Sequence, residues 1–442
     1  MNIEARPLET RAETELAEAF DTLKAKLPGG DAVAAKRTEA FADFRKAGLP
    51  HRRVEEWKYS DLRARLKSVP AFAARRDTAA ARSLVEAHAG TFGDAERHRL
   101  VIVDGHFHAD LSDVEALGKD GITVRPLAEA LADEGAALMA MPAIASNDAA
   151  VGLNAIFCAD GVELVIAEGA TVSRPVEILH VQGGDQAGAS AERVVIRAGK
   201  GSSATVFETF VGGTEGTFSN TLTDIRAADE AGLTLARLQA EEAGTTHVGS
   251  AVVTLGTASN VKLIGAGIGS GFARHQSFVT FEGENARADL LGITMVRAGQ
   301  HVDQTLVVDH AVPNCESTEL FKTVVGEGAK GIFQGKIIVR PDAQKTDGQM
   351  MTQSLLLAED AEMALKPELE IFADDVQCAH GATSGEIDED LMFYLQARGI
   401  PEAEAKMLLV LAFLSEAVEE IGDETIVEAF EARIRDWLYA SA

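Results

Sequence analysis

The 442-residue chain is poor in aromatic side chains, at 5% of residues, and holds three cysteines, two tryptophans and three tyrosines. Cys158, Cys315 and Cys378 are scattered and odd in number, which excludes a disulfide framework and fits a reducing cytosol. No apolar run approaches a membrane span; the longest, Met407 to Leu414, makes little more than two helical turns. The opening MNIEARPLETRAETEL lacks a cationic start followed by an apolar core, so no secretory signal is visible and a cytoplasmic protein is expected. Cations are scarce as well: 41 Lys and Arg against 69 Asp and Glu leave a formal charge of −28. Such a surface repels phosphate backbones and anionic lipid, so neither nucleic acid nor membrane is an expected partner. The acidic excess serves solubility, or it meets a partner with a basic face. No G-x-x-x-x-G-K-[ST], H-E-x-x-H, C-x-x-C or G-x-S-x-G occurs, which removes P-loop ATP hydrolysis, zincin proteolysis, zinc ribbons and α/β-hydrolase chemistry.

What the chain does have is glycine, 40 residues of it, with 46% hydrophobic and 25% charged residues. That balance suits short strands joined by tight turns. Residues 1–98 read as an N-terminal helical domain. ETRAETELAEAFDTLKAKLPGG sets Leu16, Phe20, Leu23 and Leu27 at helical spacing before Pro28-Gly29-Gly30 stops it. Residues 99–383 form a β-rich core whose lead-in, residues 99–160, is mixed, with helix around Leu127 to Leu138. From Gly161 a dozen or so strand-like runs recur every 10–16 residues or so, separated by Gly, Asn or Asp. No Asn-Gly or Asp-Gly hairpin signal lies between them, and pairs of runs repeat at roughly 25 residues, which favours a parallel β-helix over a sandwich. Residues 384–442 return to helix, first EIDEDLMFYLQARG, then the run opened by Pro401, then a helix from near Asp423. The fold expected is mainly β, a parallel β-helix flanked by helical domains at both ends.

Few motifs carry chemistry. GEGAKG, Gly326 to Gly331, matches a dinucleotide fingerprint but precedes the extended run IFQGKIIV, so it reads as a turn. His106 and His108 read as a surface pair, and His275, His301 and His310 as structural histidines. DDVQCAHGATSG, Asp374 to Gly385, reads as a strand on which Cys378 and His380 face the same way, roughly 6–7 Å apart at Cα. A thiol and an imidazole can begin a metal site, yet zinc wants three or four ligands and an iron–sulfur cluster usually four. No second close-spaced pair is present, so a site here is absent or is completed by another chain. The helix after Pro401 is apolar around more than one face, which leaves open a sunken helix or a face kept for a partner.

FQGKIIVRPDAQKTDGQMMTQSLLLAEDAEMALKPELEIFADDVQCAHGATSGEIDEDLMFYLQARGIP, Phe333 to Pro401, resembles the C-terminal signature of the SufB/SufD family of iron–sulfur cluster assembly scaffold components. RRVEEWKYSDLR, Arg52 to Arg63, is similar to a segment near the start of SufD-type chains, and CAHGATSG resembles their C-S-H-G-A-T pattern with Ala379 in place of Ser. The resemblance implies a right-handed parallel β-helix between helical domains and a non-catalytic scaffold subunit, with ATP hydrolysis left to SufC. It implies a SufBCD-type complex: SufB joined through the β-helix, and SufC docked on the C-terminal helices around Phe393, Tyr394, Arg398, Gly399 and Ile400. His380, with Cys378 beside it, maps to the SufB contact implicated in cluster assembly. A cluster would pass through transiently, shared with SufB and not bound by the isolated chain. A reduced flavin in the complex and a homodimer of the isolated chain stay open. Two other classes compete: a polysaccharide-acting β-helix enzyme using carboxylates such as Asp303 and Asp309, and a self-associating structural β-helix.

Overall fold

From Asp160 onward, every strand pairs in parallel with the strand two places along the chain, so consecutive strands alternate between a nine-stranded and a ten-stranded sheet. The structure, a computed structural model, describes residues 9–88, 96–420 and 424–439. The chain winds as a parallel β-solenoid of about eight turns with helices at both termini, the fold its spacing predicts. Register is kept from turn to turn. Leu263, Leu290, Glu319, Met350 and His380 form one column of the ten-stranded sheet, and Val261, Ala288, Ser317, Gly348 and Cys378 form the next. Alternation sends both columns inward, where Ile225, Val253, Leu290, Val308 and Ile337 from the two sheets meet in one core.

The turns repeat as faithfully as the strands. Gly201, Glu230, Ala258, Asn285, Asn314 and Lys345 all take positive φ at corresponding corners. Their amides reach the next turn; Glu230 N donates to Thr257 O at 2.8 Å and Asn314 N to Gln344 O at 2.9 Å. GEGAKG occupies another such corner, between the strands Glu316–Val325 and Lys330–Val339, with Gly328 at φ 61°.

The first end of the solenoid is closed. His106–Phe107 runs antiparallel to His98–Val103, and Ile122–Pro126 antiparallel to Asp160–Ile166, so the first turn is covered. His108 is buried and His106 is half-buried, its Nε2 donating to Ala73 O at 3.1 Å, which corrects the surface pair expected of them. The EEWKYSD segment is a clamp. Trp57 is buried with Arg274 Cζ 4.0 Å above its ring, and Arg274 Nη2 donates to Glu56 O at 2.8 Å. Arg274 also pairs with buried Asp303, and Ser60 Oγ lies 2.9 Å from His301 Nε2. Asp303 is thus enclosed under the N-terminal segment, and Asp309 pairs with Arg340 at 2.8 Å; these carboxylates do not line a saccharide groove together.

Away from both ends, the helices Glu402–Glu419 and Glu424–Tyr439 lie on the outer face of the ten-stranded sheet. Val410, Leu414, Ile426 and Phe430 bury themselves against Ile264, Leu291 and Ile293. The apolar run Met407–Leu414 is therefore sunk on one side, while Leu408 stays exposed. Trp57→Ala should lower stability by about 3–5 kcal/mol, the usual cost of a large aromatic cavity, read from the midpoint of a urea titration. A loss below 1 kcal/mol would mean that the clamp is not formed in solution.

Candidate functional site

The last two strands, Glu362–Ile371 and Gln377–Glu386, are the outer edges of the two sheets, and among the described residues no strand covers either. Their residues are half-buried or exposed where every earlier turn of the solenoid is mostly buried. Two rows of backbone N–H and C=O groups therefore face outward, with an apolar rim that includes Phe372 at 60% and Ile371 at 40% exposure. Leu365, Leu369 and Val376 pack onto the core from the rim without being fully covered.

Cys378 and His380 sit on this end. Both stand in inward columns of the final strand, His380 in register with buried Met350 and Cys378 with Gly348. Gly348 has no side chain, and a Cβ there would lie 3.6 Å from Cys378 Sγ. Cys378 is half-buried and packs on the core, whereas His380 is exposed. Burial pushes the Cys378 thiol up from its ordinary value, and Asp347 and Glu319 add to the rise, so at neutral pH it carries its proton. Soft sulfur and imidazole nitrogen suit iron, but two donors do not make a four-ligand site. Among the described residues, no cluster of three or more His, Cys, Asp or Glu could hold a metal ion.

Phe393, Tyr394, Arg398, Gly399 and Ile400 lie together on and just past the short helix Glu389–Ala397. Asp388 caps that helix by accepting from Asp390 N and Leu391 N, and Gly399 ends it at φ 86°. None of the helix is buried: Phe393 is 71% and Tyr394 53% exposed, with Arg398 Cζ 4.4 Å over the tyrosine ring. The structure brings Cys378 and His380 to one place and the other five residues to another.

Sequence reasoning missed the charges inside the solenoid. His180 Nδ1 lies 2.6 Å from Glu192 Oε1, and its Nε2 lies 3.5 Å from Glu208 Oε1. Arg237 reaches Glu208 at 2.8 Å, and His247 reaches Glu241 at 2.8 Å. Burial works against a charged His180, but the two carboxylates outweigh it and raise its pKa to about 9. Glu319 is the exception. Neither of its oxygens makes a well-formed hydrogen bond, and burial pushes its pKa up to about 8, with Ser317 offsetting part of the rise. Inward-facing Glu, His and Arg positions on strands are the only trace of this in the sequence, and alternation alone does not say which side is inside.

With this geometry in place, similarity to known proteins is decisive. The family description "SUF system FeS cluster assembly, SufBD core domain" matches residues 180–413, and "SufBD protein N-terminal region" matches residues 12–178. The chain belongs to the SufBD family. It is 29% identical to the iron–sulfur cluster assembly protein SufD of Escherichia coli, over 88% of this chain and 89% of that one. An iron–sulfur cluster assembly SufBD family protein of Synechocystis is 28% identical over 88% of each chain. The chloroplastic protein ABCI7 of Arabidopsis thaliana is 30% identical over 64% of this chain and 61% of its own length. Iron–sulfur cluster assembly is thus the activity of the family, and a scaffold role within it agrees with the SufD relatives.

Glu319 supplies a test of the interior. A carboxyl whose folded pKa lies above its unfolded value loses stability as pH climbs from about 4.5 to about 8, because the unfolded chain releases the proton first. Glu319→Gln removes that loss, so the variant should gain on the parent by roughly 1–4 kcal/mol at pH 8 and by little at pH 5. Urea midpoints at the two pH values check this; equal differences would mean that Glu319 is ionised in the folded chain.

Proposed function

We propose that this chain is a SufD-like, non-catalytic scaffold subunit of a SufBCD-type complex, working in the cytoplasm, and that its open solenoid end is where SufB joins. The observation that carries the proposal is the uncovered last turn, which offers two sheet edges, an apolar rim and Cys378 with His380 in one place. A second β-solenoid of the same cross-section would continue both sheets, bury the rim and add the ligands that this chain lacks. The cluster is then cargo, held transiently between the two chains by His380, Cys378 and groups from SufB. In isolation the same end can pair with a second copy, so a homodimer belongs to the proposal too.

SufC, the ATPase, docks on the exposed helix Glu389–Ala397. Phe393 and Tyr394 are large apolar anchors on a helix with no buried residue, and Arg398 stacked on Tyr394 is held ready to meet a carboxylate. Cys378 loses its proton only when iron or a cationic partner group arrives, since burial and the nearby Asp347 carboxylate oppose the thiolate.

His380→Ala should leave the melting temperature within a degree or two, since surface substitutions cost little, and abolish cluster assembly by the co-purified complex. Assembly at the parental rate would overturn its role. Phe393→Ala should weaken SufC retention on size exclusion by tenfold or more, about 1.4 kcal/mol per decade, while SufB stays bound. Joint loss of both partners would place the SufC contact elsewhere.

A further inference from the structure

Between the two sheets, near the middle of the solenoid, lies a cavity of about 40 Å³, room for a few water-sized atoms. Its polar wall is Arg237, Gln239, His275, Ser277 and Gln304; Phe210, Leu290 and Phe321 are among the apolar lining. His275 and Ser277 keep some accessible surface although protein surrounds His275 on every side, and that surface is the cavity wall.

Three features of the wall say what it would hold. First, it contains one cation and no carboxylate. Arg237 Nε is 2.8 Å from Glu208 Oε2, but the two are not aligned as a hydrogen bond, and Arg237 Nε and Nη2 have no hydrogen-bond partner. Second, His275 Nε2 is buried without a partner. Burial holds that imidazole neutral, with His247 and Arg237 pressing the same way, so its ring offers a hydrogen-bond donor at one nitrogen. Third, Gly265 leaves the space open. It stands in an inward column, in register with Arg237 and Gly292, and a Cβ on it would meet only Leu291 O at 4.0 Å. Buried polar atoms without partners are destabilising, so this wall is stabilised by whatever satisfies it.

We propose that this cavity is a binding site for a small monovalent anion of the halide or hydrosulfide class, held by Arg237, His275 and Ser277. A planar guanidinium, an imidazole and a hydroxyl converge on a volume too small for phosphate or carboxylate with their hydration. Phe210, whose face is taken by Arg237 Cζ at 5.3 Å, and Phe321 supply the apolar part of the wall and keep bulk water away from the bound ion. The site is independent of the SufB and SufC contacts, since it lies inside one chain.

Crystals of the full chain soaked in sodium bromide test it by anomalous scattering. A bromide peak in the cavity, within hydrogen-bond distance of Arg237 and His275, is expected in the parent and is lost in Gly265→Val, which fills the space. Ser277→Val serves as a second filling variant should Gly265→Val fail to fold. A parent cavity without an anomalous peak overturns the proposal, and so does a peak that survives the filling. Anaerobic addition of sodium hydrosulfide to bromide-soaked crystals separates the two members of the class. A peak that falls at least twofold extends the site to sulfur anions, and an unchanged peak overturns that half.

Discussion

Each turn of a parallel solenoid buries its inward side chains only because another turn lies above and below it, and among the described residues no strand lies above the last turn of this chain. The first turn is covered by antiparallel strands, so the asymmetry is built into the sequence order. The C-terminal helices could have crossed the open end. They lie instead along the outer face of the ten-stranded sheet, where Val410, Leu414 and Phe430 complete a separate core. The final strands are left with unpaired backbone groups and a rim of Leu365, Ile371 and Phe372, which in water is a costly arrangement for an isolated molecule.

The interior of the solenoid follows a different rule from the apolar half of its core. Glu192, Glu208 and Glu241 face His180, Arg237 and His247, acid against base within 2.6–3.5 Å. Desolvation alone would drive these groups neutral, and pairing reverses it for His180 and Glu208, whose pKa values move to about 9 and about 2. Glu319 has no such partner, and there desolvation wins. The contrast shows that geometry, not burial as such, decides the charge state within one continuous wall. It also explains why the register must hold: a slip of one residue would turn these side chains outward and bring their neighbours in.

Much of the architecture was legible because it is periodic. Short runs at regular spacing without hairpin turns specify parallel winding, and the GEGAKG corner was legible because an extended run follows it. His108 was misread as exposed because a two-residue strand, His106–Phe107, folds back on His98–Val103 and carries His108 into the interior with it, and so short an element leaves no period to detect. The role of EEWKYSD was hidden for another reason. Trp57 meets Arg274 and Ser60 meets His301, contacts across more than 200 positions that no local pattern encodes. The pairing of Cys378 with His380 was readable from alternation. Its place at an uncovered end was not, since that depends on where the helices after Gly399 pack.

Cys378 then acquires its meaning from what surrounds it. A thiol meant to react alone is usually set beside a cation or a helix N-terminus, which lowers its pKa. Here burial comes first and the nearby Asp347 carboxylate adds to it, and both hold the proton on. Nor does His380 redress this from within the chain, because no third donor joins the pair among the described residues. An arriving metal ion reverses the balance, since coordination to sulfur displaces the proton and the Asp347 carboxylate then favours the added positive charge. The acidic surroundings that keep the free thiol inert are therefore the ones that favour an iron-loaded state, provided the missing ligands come with whatever covers the last turn.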